Sequence, residues 1–310
     1  MALLRKIFRC TLIHQRGAHA ALNINTKFVP ESEPVNDQDV KDLRNFLLKN
    51  KKILVLTGAG VSTESGIPDY RSEGVGLYAR STNRPVQYSD FVKSETIRQR
   101  YWARNYVGWP VFSSFQPNIC HKILRRWEIK GKVHWLVTQN VDALHLKAGS
   151  VNLTELHGSA HRVMCMNCDA KMPRARLQEL IGKHNPQWKA KSVEMAPDGD
   201  VQLTAEQVQG FKVPECPSCG GALKPEIIFF GDNVPKPTVN LVFEKVKESD
   251  AVLVLGSSLE VYSGFRFVNA AHSHNKPIAI VNIGTTRADS LVSLKVSAKC
   301  SDVLQRLEHL

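Results

Sequence analysis

No apolar run in this chain of 310 residues reaches the length of about 18 residues that a helix needs to cross a bilayer, so no membrane span is expected. Internal repeats and low-complexity tracts are absent too, which argues against a repeat array. Basic residues nowhere gather into a dense run interleaved with aromatics. The formal net charge of +12, from 41 Lys and Arg against 29 Asp and Glu, therefore does not mark a nucleic-acid binder. Seven cysteines are an odd number, and in a chain of this length they do not suggest a disulfide framework. A glycine is also missing. After KKILVL, which reads as a short buried strand, Gly58 and Gly60 stand where a dinucleotide fingerprint places its first two glycines, but Thr63 occupies the third position. No strand ending in a ribose-binding acid follows about 20 residues on. Conventional hydride transfer is thereby disfavoured.

The first residues lack acids altogether, none occurring before Glu31. Arg5, Lys6, Arg9, Arg16 and Lys27 supply positive charge there, and Leu3, Leu4, Ile7 and Phe8 share one face of a possible helix. An acid-free, amphipathic, Arg-rich start is the pattern of a mitochondrial transit peptide. Residues 1–28 are read as that peptide with a basic arm, and the mitochondrial matrix as the destination.

Beyond the linker PESEPVNDQDV, the segment DVKDLRNFLLKN reads as a helix with Val40, Leu43, Phe46 and Leu47 on one side. Residues 86–106 and PNICHKILRRWEIK are further helical patterns. KVHWLVTQN, EIIFFG, AVLVLGSSLE and PIAIVNIG read as strands, most of them ending in loops. Strands alternating with helices imply an α/β fold, a Rossmann-like parallel sheet with helices on both faces. Residues 29–160 and 222–310 are assigned to it, and 161–221 to a small insert without a large apolar core of its own.

That insert holds Cys165-Met-Asn-Cys168 and Cys216-Pro-Ser-Cys219. The CxxC spacing lets two thiolates of one tight turn take adjacent corners of a tetrahedron, and two such turns complete a zinc site. With all four corners filled by protein, no water position is left, so the zinc would be structural. An iron–sulfur centre, or thiols without a metal, are the weaker readings.

Four strand-to-loop junctions carry polar residues: GAGVSTESGIPDYR, TQNVDALH, GSSLE and VNIG. In an open parallel sheet, ligands bind at the carboxyl ends of the strands. Four such loops favour a nucleotide-sized ligand. His157, in TELHGSAHR, stands between the sheet and the insert, where ligand sites concentrate, and an imidazole suits general-base work.

Together with LHG and the cysteine pairs, these motifs resemble the sirtuin family in order and spacing, from about Val40 to Cys300, and the chain looks most like that family's mitochondrial class II branch. Departures are mild: Tyr70 stands where many members have Phe, and Val281 where Ile is usual. The resemblance implies an NAD-dependent protein-lysine deacylase that releases nicotinamide and O-acyl-ADP-ribose, with His157 as base. By motif match, Gly58, Ala59, Ser62, Ile67, Asp69, Tyr70 and Arg71 would line the NAD pocket. Gln139 would meet the nicotinamide ribose, and Asn140 and Asp142 would position nicotinamide for cleavage. Gly256, Ser257, Ser258, Asn282 and Cys300 would hold the adenosine half. Tyr101 and Arg104 have the Tyr-x-x-Arg spacing with which the desuccinylating branch grips an acyl carboxylate, which favours glutaryl or 3-hydroxy-3-methylglutaryl chains. Removal of lipoyl and biotinyl groups is implied by the resemblance to the mitochondrial class II branch. Two readings compete: a protein mono-ADP-ribosyltransferase using the same pocket, and a regulatory protein that binds NAD or ADP-ribose with little turnover. The implied partners are acyl-lysine proteins, mitochondrial metabolic enzymes among them, and a monomer is expected.

Overall fold

The structure, a computed structural model, describes residues 26–82, 84–192 and 195–310. The transit-peptide reading and Cys10 fall, up to residue 25, outside the described residues. Nine strands are formed among these residues: β1 Ile53–Thr57, β2 Val133–Thr138, β3 Leu153–Glu155, β4 Gly158–Cys165, β5 Lys171–Pro173, β6 Leu223–Ile227, β7 Ala251–Leu255, β8 Ile278–Val281 and β9 Leu294–Val296. Six of them build one parallel sheet in the order β3-β2-β1-β7-β8-β9, and β5-β4-β6 form a small antiparallel sheet.

Every residue of β1, β7 and β8 is buried, as a strand covered on both faces requires. Successive side chains alternate between the faces. Ile53 and Val55 join one apolar cluster with Leu43, Leu47, Trp127 and Leu304, whereas Leu54 and Leu56 join another with Val246, Phe267 and Val268. Helix Asp37–Lys49 buries Val40, Leu43, Phe46 and Leu47, the stripe read from its spacing. Asn36 starts it by accepting the Asp39 N–H at 2.7 Å, and Asp37 and Asp39 suit the positive end of the helix dipole.

Two readings of the sequence are corrected. The EIIFFG strand is displaced to Leu223–Ile227 and pairs antiparallel with β4, outside the parallel sheet. The cysteine insert also has a substantial core, because helix Glu95–Ser114 packs into it. That helix buries Tyr101, Trp102, Asn105, Gly108, Trp109 and Phe112, which recur at helical spacing along one face. Trp102 and Phe112 share a cluster with Val163, Leu177, Ile181 and Phe211. The core of the insert was invisible from within 161–221 because its largest side chains lie more than 50 residues upstream in the chain. Arg174 is fully buried there, its Nε donating to Asn105 Oδ1 at 2.9 Å and its guanidinium lying 4.8 Å from the Trp109 ring centre. Gly108 allows the backbone of Gly199 to touch the helix, since a Cβ at Gly108 would fall 2.1 Å from the Gly199 carbonyl oxygen.

Trp102 has no exposed surface and donates its indole N–H to Leu223 O at 3.0 Å. Trp102→Ala is therefore expected to cost about 3–5 kcal/mol, read as a lowered unfolding midpoint in denaturant. A loss below about 1 kcal/mol would contradict the assignment of this helix to the core of the insert.

Candidate active site

A cavity of about 1660 Å³ opens at the carboxyl ends of β1, β2, β7 and β8, between the parallel sheet and the cysteine insert. The strand ends are held together by close backbone approach. Gly58 N–H donates to Leu255 O at 3.1 Å and Gly60 N–H to Gly256 O at 2.9 Å. A Cβ on Gly58 would lie 2.7 Å from that same carbonyl oxygen, so only glycine fits.

Beside this contact sits a buried polar network. Asn140 Nδ2 donates to Gly58 O at 3.0 Å and to Ser62 Oγ at 3.1 Å. Ser62 Oγ–H donates to Asp142 Oδ2 at 2.7 Å, and Asp142 Oδ1 accepts the Leu144 N–H at 2.8 Å. Burial pushes the Asp142 carboxyl above its ordinary range, while the Leu144 and Ser62 hydrogen bonds oppose the rise. Gln139 Nε2 donates to Ser257 Oγ at 2.9 Å. Asp69 accepts from the backbone N–H and the hydroxyl of Ser72, which shapes the loop after Ile67. Tyr70 packs on Tyr78 and Phe230, with ring centres 5.8 and 5.9 Å away.

His157 lies between β3 and β4. Its Nδ1 is 2.9 Å from Gln139 O and its Nε2 is 2.7 Å from Ser263 Oγ. Burial lowers its pKa to about 4, so the ring is neutral at pH 7 and has a lone pair available as a base. Cys300 also lines the cavity, but burial pushes its thiol up to about 12, which removes it as a nucleophile. Gly58, Ala59, Ser62, Ile67, Asp69, Tyr70, Arg71, Gln139, Asn140, Asp142, Gly256, Ser257, Ser258, Asn282 and Cys300 all reach this one cavity.

Tyr101 and Arg104 do not. Tyr101 is 2% exposed and packs edge-on against Phe91, Phe229 and Trp102. Arg104 is bound on two sides: its Nη2 pairs with Asp200 Oδ2, while its Nε donates to Asp200 Oδ1 at 3.0 Å and to Val201 O at 2.8 Å. The guanidinium read as a grip for an acyl carboxylate thus already holds a carboxylate of its own chain. Spacing along a helix shows which residues share a face, but not which partner comes from 96 residues away. The loop that supplies Asp200 also brings Pro197 and Asp198 to the cavity wall. Those two, Ser263, Arg266 and the arm residues Val29, Pro30 and Glu31 line the cavity without any motif to announce them.

In the insert, the sulfur atoms of Cys165, Cys168, Cys216 and Cys219 lie within 4.8 Å of one another. The backbone N–H of Asn167 points to Cys165 Sγ at 3.3 Å, a contact that favours a thiolate. Four thiols converging on one point fit a tetrahedral zinc with no open position.

The geometry defines an α/β protein with a nucleotide-sized cleft between its sheet and a metal-binding insert. The Sir2 family profile matches residues 58–263, more than half of the chain. A Bos taurus protein named NAD-dependent protein lipoamidase sirtuin-4, mitochondrial, is 57% identical over 303 residues, covering 97% of this chain and 96% of that one. The Homo sapiens protein of the same name is 57% identical over 281 residues, 91% of this chain and 90% of that one. A solved structure of Sir2 with a p53 peptide and NAD+ has a TM-score of 0.69 at 26% identity, over 87% of this chain and 97% of that one. The chain belongs to the Sir2, or sirtuin, family.

Two expectations follow from the site. His121 and His145 are fully buried, their rings 4.6 Å apart, and His145 Nε2 is 3.1 Å from Thr57 Oγ1 at the end of β1. Burial holds His121 well below its ordinary pKa and His145 at about 3. Both stay neutral in the fold, whereas the unfolded chain takes up protons below pH of about 6.5. Both rings should then cost stability as pH drops, His145 by about 2 kcal/mol at pH 5. Denaturant unfolding at pH 7 and pH 5 in wild type and in His145→Gln isolates the ring's share, and an identical pH dependence in the two proteins would refute it. Purified protein should carry one zinc per chain by elemental analysis, and a strong chelator should remove activity and the cooperative unfolding of the insert together. Activity lost with the fold intact would instead indicate a catalytic metal.

Proposed function

We propose that this chain is an NAD-dependent protein-lysine deacylase of the mitochondrial matrix, acting on lipoyl-type acyl chains. The observation that carries the reading is the buried Asn140–Ser62–Asp142 network facing the same cavity as His157. NAD supplies a glycosidic bond to nicotinamide that is ready to break, so the protein's task is to orient and to move protons. Fixed amide and carboxyl groups at Asn140 and Asp142 suit a carboxamide-bearing ring, and Gln139 is placed for a ribose hydroxyl. His157, neutral at physiological pH, takes the proton of the ribose hydroxyl that attacks the acyl group. Arg71 and Tyr70 lie on the loop that closes one wall.

Arg104 bears on the acyl preference. With its guanidinium committed to Asp200, and Asp198 of the same loop standing on the cavity wall, carboxylate-tipped glutaryl and 3-hydroxy-3-methylglutaryl chains lose the grip expected for them. Extended uncharged chains such as lipoyl and biotinyl fit better, and the lipoyl case is in keeping with the names of the cow and human relatives.

The protein would be incubated with NAD and lipoyl-, biotinyl-, glutaryl- and acetyl-lysine peptides. Mass spectrometry would follow bare peptide and nicotinamide. Lipoyl or biotinyl removal should exceed glutaryl removal, Arg104→Ala should not abolish it, and His157→Tyr should lower it by at least about 100-fold. ADP-ribose retained on protein without bare lysine would point to ADP-ribosyl transfer instead. Glutaryl preference lost in Arg104→Ala would restore the carboxylate-grip reading.

A further inference from the structure

Both nitrogens of His157 are already engaged. Nδ1 faces the carbonyl oxygen of Gln139 at 2.9 Å. A carbonyl oxygen can only accept, so the ring proton sits on Nδ1. Nε2 then carries the lone pair, and the group 2.7 Å away, Ser263 Oγ, must donate its hydroxyl proton to it. These two bonds come from different elements: Gln139 from the end of β2, Ser263 from the first turn of helix Tyr262–Ser273. They fix the tautomer, the ring plane and the direction of the basic lone pair.

We propose that Ser263 is a positioning residue for His157: its hydroxyl holds the imidazole as the Nδ1–H tautomer with Nε2 aimed into the cavity, until a substrate hydroxyl replaces it at Nε2. This rests on the deacylase reading for what the base does, but the positioning itself does not depend on it. The charged group bearing on the ring is Arg266, one turn along the same helix, which also lines the cavity. The Gln139 carbonyl acts in the opposite sense, favouring a proton on the ring. A donor on Nε2 works with Arg266, because protonating Nε2 requires breaking the bond from Ser263. When the ribose hydroxyl arrives, it takes the place of Ser263 as donor to Nε2, and its proton passes to Nε2 as its oxygen attacks. Ser263 keeps its own proton and turns to another acceptor, His157 becomes the imidazolium, and the π electron pair of the attacked acyl carbon moves to its heteroatom as the new C–O bond forms.

Ser263→Ala removes the donor with little change in volume, and Ser263→Thr restores it. Two readouts separate the roles. Titration of the His157 ring followed by NMR, with the His157→Gln variant used to assign its signals, needs no turnover. Loss of the hydroxyl should raise the apparent pKa of His157 by roughly 0.5–1 pH unit, and Ser263→Thr should return it to the wild-type value. In the deacylation assay, the acid limb of the kcat/KM profile, which reports the free enzyme, should move up by the same amount in Ser263→Ala, whereas that of kcat, where the ribose hydroxyl has replaced Ser263, should move little. A His157 titration identical in wild type and Ser263→Ala overturns the proposal, whatever the activity. If the titration shifts as expected while no acyl peptide is processed even by wild type, Ser263 stands as a positioning residue and the deacylase reading falls.

Discussion

Gly60 donates its N–H to the carbonyl of Gly256, and through that bond the ends of β1 and β7 come into backbone contact. Much of the site depends on this approach. It brings Ser62, carried by the segment after β1, beneath Asn140 and Asp142 from the end of β2. Gln139, the residue before Asn140, then reaches Ser257 on the β7 side with its amide and His157 with its carbonyl. A side chain at Gly58 or Gly60 would push the strand ends apart. The polar groups now satisfied by one another would then be buried without partners, which costs more than their bonds contribute.

What was legible in the sequence was mostly local. The CxxC turns require only neighbouring residues, and their sulfurs do converge. Continuous apolar runs in β1, β7 and β8 announced strands buried on both faces, and the polar loops that follow them meet in one cavity. The stripe from Val40 to Leu47 marked a helix whose bounds are close to those observed.

What stayed illegible depended on distant partners. Arg104 had the right spacing from Tyr101 for a carboxylate grip, yet Asp200 reached it first. Ser263 carries no motif, and its role arises only because the helix start falls beside His157, 106 residues earlier in the chain. The core of the insert is supplied from outside its own segment by Trp102 and Phe112. Pattern reading assigns faces to elements, whereas the pairing of faces from separate parts of the chain is a tertiary choice.

Helix Glu95–Ser114 belongs by sequence to the stretch between β1 and β2 and by packing to the cysteine insert. The chain therefore crosses between the two halves four times: into this helix, out of it, into β4 and out past β6. Any hinge between the halves must bend four connections at once. Such a quadruple tether limits relative movement of the halves to what all four connections can absorb together. The four crossings thus set the path along which the cleft can open and shut.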